Sequence, residues 1–175
     1  GAYNTMLARI QAEDNPNFFF LAYERNNYRV QQLVLVPKHF VTVNMIAPRR
    51  NTLKGRDNYL MCDLDIRNLP EGGKIPLITA GKAIDPTRVQ KQWQAHLFLR
   101  QQKAEKKGWL LAILHCLDQL PAQFNLAQLY AFSDKLQKQF PDNHHIQAKI
   151  RQQLQILRDQ NLIEFGARGQ YRKIV

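Results

Sequence analysis

The chain has 175 residues, 45% of them hydrophobic and 22% charged, an ordinary globular balance, but its formal net charge of +11 points to a polyanionic partner such as nucleic acid. There is no signal peptide, lipidation motif or apolar run of transmembrane length. Cys62 and Cys116 lie far apart in apolar stretches and read as small buried hydrophobes rather than halves of a disulfide, no C-x-x-C pair exists for zinc, and a reducing, cytoplasmic setting is the default.

The charge is unevenly spread. Residues 1–85 carry 11 Lys/Arg against 8 Asp/Glu, a net +3, whereas residues 86–175 carry 14 against 6, a net +8. The C-terminal half is therefore the expected phosphate-binding part. The chain opens on GAYNTM, without an initiator methionine and already in helical spacing, which reads as a fragment of a longer protein.

Residues 3–14 have the spacing of a helix, with Met6, Leu7 and Ile10 on one side, and Asn15-Pro16 ends it. Asn17 to Tyr23 is a nearly continuous apolar run, the pattern of a strand buried on both faces at the centre of an α/β sheet. Tyr28 to Val36 predicts a second strand. Residues 37–58 read as a long loop around a short helix from His39 to Ile46. Arg49, Arg50, Lys54 and Arg56 equip that loop either to meet phosphates or to form a mobile, solvated surface. Tyr59 to Ile66 and Lys74 to Ala80 predict two further strands about a turn at Pro70-Glu71-Gly72-Gly73. Asp85 is a good N-cap and Pro86 a good first helical residue, predicting a helix from Pro86 towards Arg100 with Trp93, Leu97 and Phe98 on its apolar side.

This first part, residues 1–100, is thus expected to be an α/β domain. Residues 101–107, within the polar run RQQKAEKK, read as a linker, and residues 108–175 as a second domain. There, Trp109 to Leu117 predicts one helix and Pro121 stops it. Asn125 caps a second helix, which carries Leu126, Leu129, Tyr130, Phe132 and Leu136. A third, capped by Asp142 or Asn143, repeats Ile146, Ile150, Leu154 and Leu157 at the spacing of a buried stripe. At about 100° per residue, Arg151, Gln152 and Gln155 fall on the opposite side, with His144 near them. Such a face suits the DNA major groove, because Arg pairs with guanine and Gln with adenine in two-point geometry, although Arg and Gln also serve as solvated helix formers. Leu162 to Phe165 and Tyr171 to Val175 then predict a hairpin across Gly166-Ala167-Arg168-Gly169. Three helices and a cationic hairpin predict a helix-rich winged helix-turn-helix, with Arg168, Arg172 and Lys173 on the wing.

The residues offer no convincing catalytic centre. His144 and His145 point about 100° apart if helical, with no third ligand spaced to join them, and a phosphate-facing role at the helix start suits His144 better. Asp63 and Asp65 alternate along a possible strand, where they either share a metal or pair with Arg67 and its basic neighbours. There is no glycine-rich phosphate loop, Ser/His/Asp spacing or zinc signature.

The blocks KIRQQLQILRD (149–159), IEF (163–165) and RG-x-YRK (168–173) closely resemble the C-terminal winged helix of the DpnI-type methyl-directed restriction endonucleases, the Dam-replacing family. GAY-x-TM with NPNFFFL (15–21), LVLVPK (33–38) and LFLR (97–100) resemble the middle and later parts of that family's catalytic domain, so the resemblance spans essentially the whole chain. It implies the C-terminal portion of a PD-(D/E)xK nuclease-like α/β domain followed by the winged helix. The implied activity is a type II restriction endonuclease that cuts double-stranded GATC sites carrying N6-methyladenine. The chain itself is expected to be a monomer.

The family's Mg²⁺ ligands and its four-cysteine structural zinc fall before Gly1 on this resemblance. The chain is therefore expected to recognise DNA without cutting it alone. Tyr59, three residues before Cys62, stands where the family has a methyl-pocket Trp; it either keeps that role or is an ordinary strand-edge aromatic. Within the matching winged-helix blocks, the expected base readers are Arg151, Gln152 and Gln155. Lys149, Arg168, Arg172 and Lys173 are the expected phosphate contacts, with His144, Arg158 and Tyr171 completing the DNA-binding set. The competing reading is a non-enzymatic winged-helix regulator or methyl-adenine reader.

Overall fold

The computed structural model describes residues 2–49, 55 and 59–174. They divide into two units, residues 1–100 and residues 101–175.

In the first unit, α1 (Tyr3–Gln11) precedes β1 (Phe18–Tyr23) and β2 (Val30–Val36), which pair antiparallel with Phe18 opposite Val36 and Leu21 opposite Leu33. Two 3-10 turns, Lys38–Phe40 and Val43–Met45, lead into β3 (Ile46–Pro48), which pairs with β4 (Cys62–Leu64). β5 (Ile75–Thr79) and β6 (Lys82–Ala83) complete a four-stranded antiparallel sheet of order β1-β2-β5-β6. α2 (Pro86–Ala95) follows.

The unit is mixed α/β, as expected, but β1 is not a central strand. It lies at the sheet edge with Phe19 60%, Leu21 56% and Tyr23 51% exposed. No residue of β1 is fully buried: an apolar run records a tendency to be buried and not whether other elements cover its faces or pair its edges. The helix expected from His39 to Ile46 is two 3-10 turns, consistent with β-branched Val41, Thr42 and Val43, which crowd a helical turn. Of the cationic loop, Arg50, Lys54 and Arg56 fall outside the described residues.

The α2 start follows expectation: Asp85 Oδ1 accepts the Thr87 and Arg88 backbone N–H groups at 2.8 and 3.2 Å, and Pro86 takes the first turn. The helix ends at Ala95 rather than near Arg100, and a 3-10 turn, Leu97–Gln101, carries on. The Pro70-Glu71-Gly72-Gly73 segment serves close packing. A Cβ on Gly72 would stand 2.6 Å from the His96 ring, and one on Gly73 would stand 2.6 Å from the Phe40 ring.

In the second unit, α3 (Ala104–Asp118) is buried along nearly all of its second half, from Trp109 to Leu114 and at Cys116 and Leu117. A helix apolar all round belongs at the centre of a domain, and the others wrap it. It begins inside the segment expected as linker: Ala104 and Glu105 are good helix formers, and the polar first turn extends an apolar helix towards its N-terminus.

The second expected helix is two, α4 (Leu126–Tyr130) and α5 (Ser133–Gln139). Phe132 leaves helical geometry at φ −86°, ψ 2° while donating its N–H to the Leu129 carbonyl at 3.1 Å. Asn125 forms a full capping box with Gln128. α6 (Ile146–Asp159) buries Ile146, Ile150, Leu154 and Leu157, the predicted stripe, together with Gln153. β8 (Ile163–Phe165) and β9 (Gln170–Lys173) form the hairpin, and β7 (Gln123–Asn125), unforeseen, pairs with β9 to give the sheet order β7-β9-β8. Gly169, at φ 73°, supplies the left-handed residue the hairpin tip requires.

Candidate nucleic-acid interface

α6 is organised by its amphipathic pattern. With the buried stripe held against the domain core, Arg151, Gln152, Gln155 and Arg158 emerge exposed. Arg151 and Gln155 are one turn apart, and Arg151 and Arg158 two turns apart, so they follow one another along the surface. The N-cap of α6 is His145, with no side-chain capping bond, and not Asp142 or Asn143 as expected; Asn143 sits two residues earlier, where its Oδ1 accepts the His145 N–H at 2.9 Å, with His144 exposed beside it.

Arg151 is held. Its Nη1 donates to the Tyr130 hydroxyl at the end of α4, 2.6 Å away. Gln152 Oε1 accepts from the buried Gln153 amide at 3.3 Å, and Gln155 is open to solvent. Arg158 donates to Asp159 at 2.9 and 3.0 Å while its guanidinium carbon lies 4.7 Å from the Phe165 ring centre. Lys149 turns the other way: its Nζ is 3.7 Å from Glu105 and 5.8 Å from the Trp109 ring, towards α3.

On the wing, the register of β8 with β9 sets Glu164 opposite Arg172, and the two form an ion pair. Arg168 is exposed beside Gly169. Tyr171 stacks on Phe124, with ring centres 5.3 Å apart, and meets Phe165 edge-on at 4.9 Å, a cross-strand aromatic row. Burial pushes the Tyr171 phenol above its ordinary pKa, and neighbouring Tyr130 adds to the shift while Arg151 opposes it. Lys173 does not lie on the wing's outer surface. Its Nζ donates to the Leu117 and Leu120 carbonyls at 2.6 and 2.7 Å, at the C-terminal end of α3.

The structure thus brings Arg151, Gln152, Gln155 and Arg158 together on one exposed strip, sets Arg168, Tyr171 and Arg172 on the wing, and turns Lys149 and Lys173 inward. Tyr130 and Phe165, which orient two of the arginines, carry no local sequence signal: Tyr130 meets Arg151 across 21 positions.

In the first unit, Tyr59 is half-buried just before β4, and the neighbouring Leu60 carbonyl accepts the Tyr3 N–H at 2.9 Å. The Asp63/Asp65 pair holds arginines. Asp63 accepts from Arg49 at 2.5 and 2.8 Å, and Asp65 accepts from Arg67 at 2.6 and 2.9 Å. The Arg67 side-chain bond, then the Arg67 backbone N–H, hold the Asp65 carboxyl at about 2. Both cysteines are free and buried, and burial raises the Cys116 thiol to about 11. Among the described residues no group of three or more His, Cys, Asp or Glu could hold a metal, and no helix is long and apolar enough to cross a membrane.

A buried helix, a helix-turn-helix and a three-stranded sheet ending in a basic hairpin define a winged helix-turn-helix of the DNA-binding class, preceded by a mixed α/β unit. Comparison with known families is specific on both parts. Residues 1–102 match the Dam-replacing family, and residues 105–173 match the Dam-replacing helix-turn-helix domain. The chain belongs to the Dam-replacing family, that of the DpnI-like methyl-directed restriction enzymes.

Proposed function

We propose that this chain is the DNA-recognition portion of a type II restriction endonuclease that acts, as a monomer, on double-stranded GATC sites carrying N6-methyladenine. The observation that carries the reading is the exposed strip of Arg151, Gln152 and Gln155, opposite a buried stripe, on the last helix of a domain matching the family's helix-turn-helix. With α6 in the major groove, Arg151 is assigned to guanine O6 and N7, and Gln152 and Gln155 to adenine edges. His144 at the helix start, Arg158, and Arg168, Tyr171 and Arg172 on the wing are assigned to the sugar-phosphate backbone. Lys149 contributes long-range attraction from its inward position. Tyr59 is assigned apolar contact with a methyl group in the α/β unit, which we read as part of a PD-(D/E)xK nuclease-like domain.

The family's chemistry implies Mg²⁺ and a structural zinc, and the residues described here fit neither. Asp63 and Asp65 are each closed by an arginine, and the two cysteines are buried in separate units. No step of phosphodiester hydrolysis is assigned to them.

Fluorescence anisotropy with a labelled GATC duplex, methylated on both strands or on neither, tests the reading. Tighter binding of the methylated duplex at matched salt, with the duplex left intact in the presence of Mg²⁺, is expected. Equal affinities would remove the methyl-directed assignment.

A further inference from the structure

The contact between Arg151 and Tyr130 joins two elements of the helix-turn-helix. Tyr130 is the last residue of α4 and is half-buried; Arg151 lies in the second turn of α6 and is exposed. The phenol, fixed by its helix and its burial, is the anchor, and the arginine is the group it orients. An arginine on an exposed helix face otherwise samples many rotamers. It then attracts phosphates as a diffuse charge and reads no base edge. Two-point recognition of guanine demands a planar fork held in one orientation. A hydrogen bond from Nη1 to the Tyr130 hydroxyl supplies that constraint and leaves the other guanidinium N–H groups for a ligand. The partner is neutral and does not offset the arginine's field, whereas Arg158 and Arg172 face carboxylates.

We infer that Tyr130 is a positioning residue for sequence recognition, fixing the Arg151 guanidinium so that it reads a base edge and not only a phosphate. The inference rests on the assignment of Arg151 as a base reader made above.

The test uses the full chain and two duplexes, one containing methylated GATC and one of scrambled sequence. Both are titrated by anisotropy over a range of salt. Tyr130→Phe removes only the hydroxyl. It is expected to leave binding to the scrambled duplex and its salt slope unchanged, and to lower the preference for the methylated site roughly three- to tenfold, the scale of one hydrogen bond. In an Arg151→Ala background, Tyr130→Phe should cause no further loss. Arg151→Lys keeps the charge but lacks the fork, and should lose at least as much preference as Tyr130→Phe; it reports on the need for the fork independently of the tyrosine variant's folding. If Arg151→Ala leaves the preference intact, the base-reading assignment fails and the inference falls with it. If Arg151→Ala abolishes the preference while Tyr130→Phe leaves it unchanged, weakens both duplexes alike or adds to the arginine loss, the assignment stands and the positioning role is overturned.

Discussion

Lys173 separates the charge a sequence displays from the charge a surface offers. Read along the chain it is one of three wing cations, so its removal would weaken every duplex alike. In the structure its ammonium meets the Leu117 and Leu120 carbonyls at 2.6 and 2.7 Å, and its side chain is half-buried. Carbonyls at a helix C-terminus have no partner within the helix and carry partial negative charge. Hydrogen bonds to a charged group are worth about 1.5–3 kcal/mol each when buried, and a cation at a helix end adds about 0.3–1 kcal/mol. With partial burial, and the cost of drying the ammonium set against these, the two bonds together are worth about 2 kcal/mol.

Lys173→Met keeps most of the hydrocarbon stem and removes only the ammonium. For a domain of this size about 1 kcal/mol moves the melting point by roughly 4–8 °C, so the variant should lower the Tm of the second unit by about 8–16 °C. Scanning calorimetry of the full chain reads this out as a shift of the transition in which the second unit melts. At temperatures where the variant is folded, the salt dependence of DNA binding should keep its slope. An unchanged Tm, with a slope shallower by about 0.9, would refute the reasoning and return Lys173 to the phosphate contacts.

Two further outcomes concern the cores of the two units. Gln153 is fully buried on α6, and its Oε1 has no hydrogen-bond partner among the described residues. Gln153→Leu, of similar volume, should raise stability by about 1 kcal/mol in urea denaturation, and a loss would show that the amide is satisfied in solution. His96 is buried against Gly72, and that burial lowers its pKa below the ordinary 6.5, with a backbone bond involving Gln92 opposing. A depressed histidine favours the neutral form in the folded state. Its contribution is therefore present above pH 6.5 and is lost as pH falls from there through the folded-state value. Thermal melts between pH 7.5 and 5, taken on His96→Gln beside the parent chain, should show a flatter pH dependence in the variant; parallel curves would contradict the assignment.

What was legible in the sequence follows the range of the interactions. Asp85-Pro86, the Asn125 cap, and the stripe from Ile146 to Leu157 are local patterns whose meaning is fixed within one or two helical turns, and all three appear as read, with Gln128 completing a capping box that was not foreseen. The hairpin is nearly as local. β7 was hidden because three residues, Gln123–Asn125, are too few to show alternation, and its partner β9 lies more than forty positions on. The edge position of β1 was hidden because hydrophobicity records a tendency to be buried, not the strand order that decides it. At the interface, the α6 strip was readable from helical geometry. The partners of Arg151 and Lys173 were not, since Tyr130 lies 21 positions away and Leu117 lies 56.

Those partners also decide which cations remain available to DNA. An exposed ion pair is worth about 0–1 kcal/mol, so exchanging a carboxylate for a phosphate costs little. Arg172 with Glu164 and Arg158 with Asp159 are pairs of this kind, on side chains 60% and 46% exposed. The same carboxylates lower the local positive potential until the exchange occurs, favouring a close, well-seated phosphate over distant attraction. Lys173 is different in kind. Its acceptors are backbone carbonyls at a helix end, which cannot swing away, so moving the ammonium to a phosphate would strip two partners from a half-buried site. Arg168 lies exposed at the wing tip, and Arg151 donates to a neutral phenol. The net +8 of the C-terminal half already subtracts those carboxylates, and Arg168 and Arg151, which face no carboxylate among the described residues, sit on the two parts to which we assign the work: the wing for the backbone and α6 for the groove.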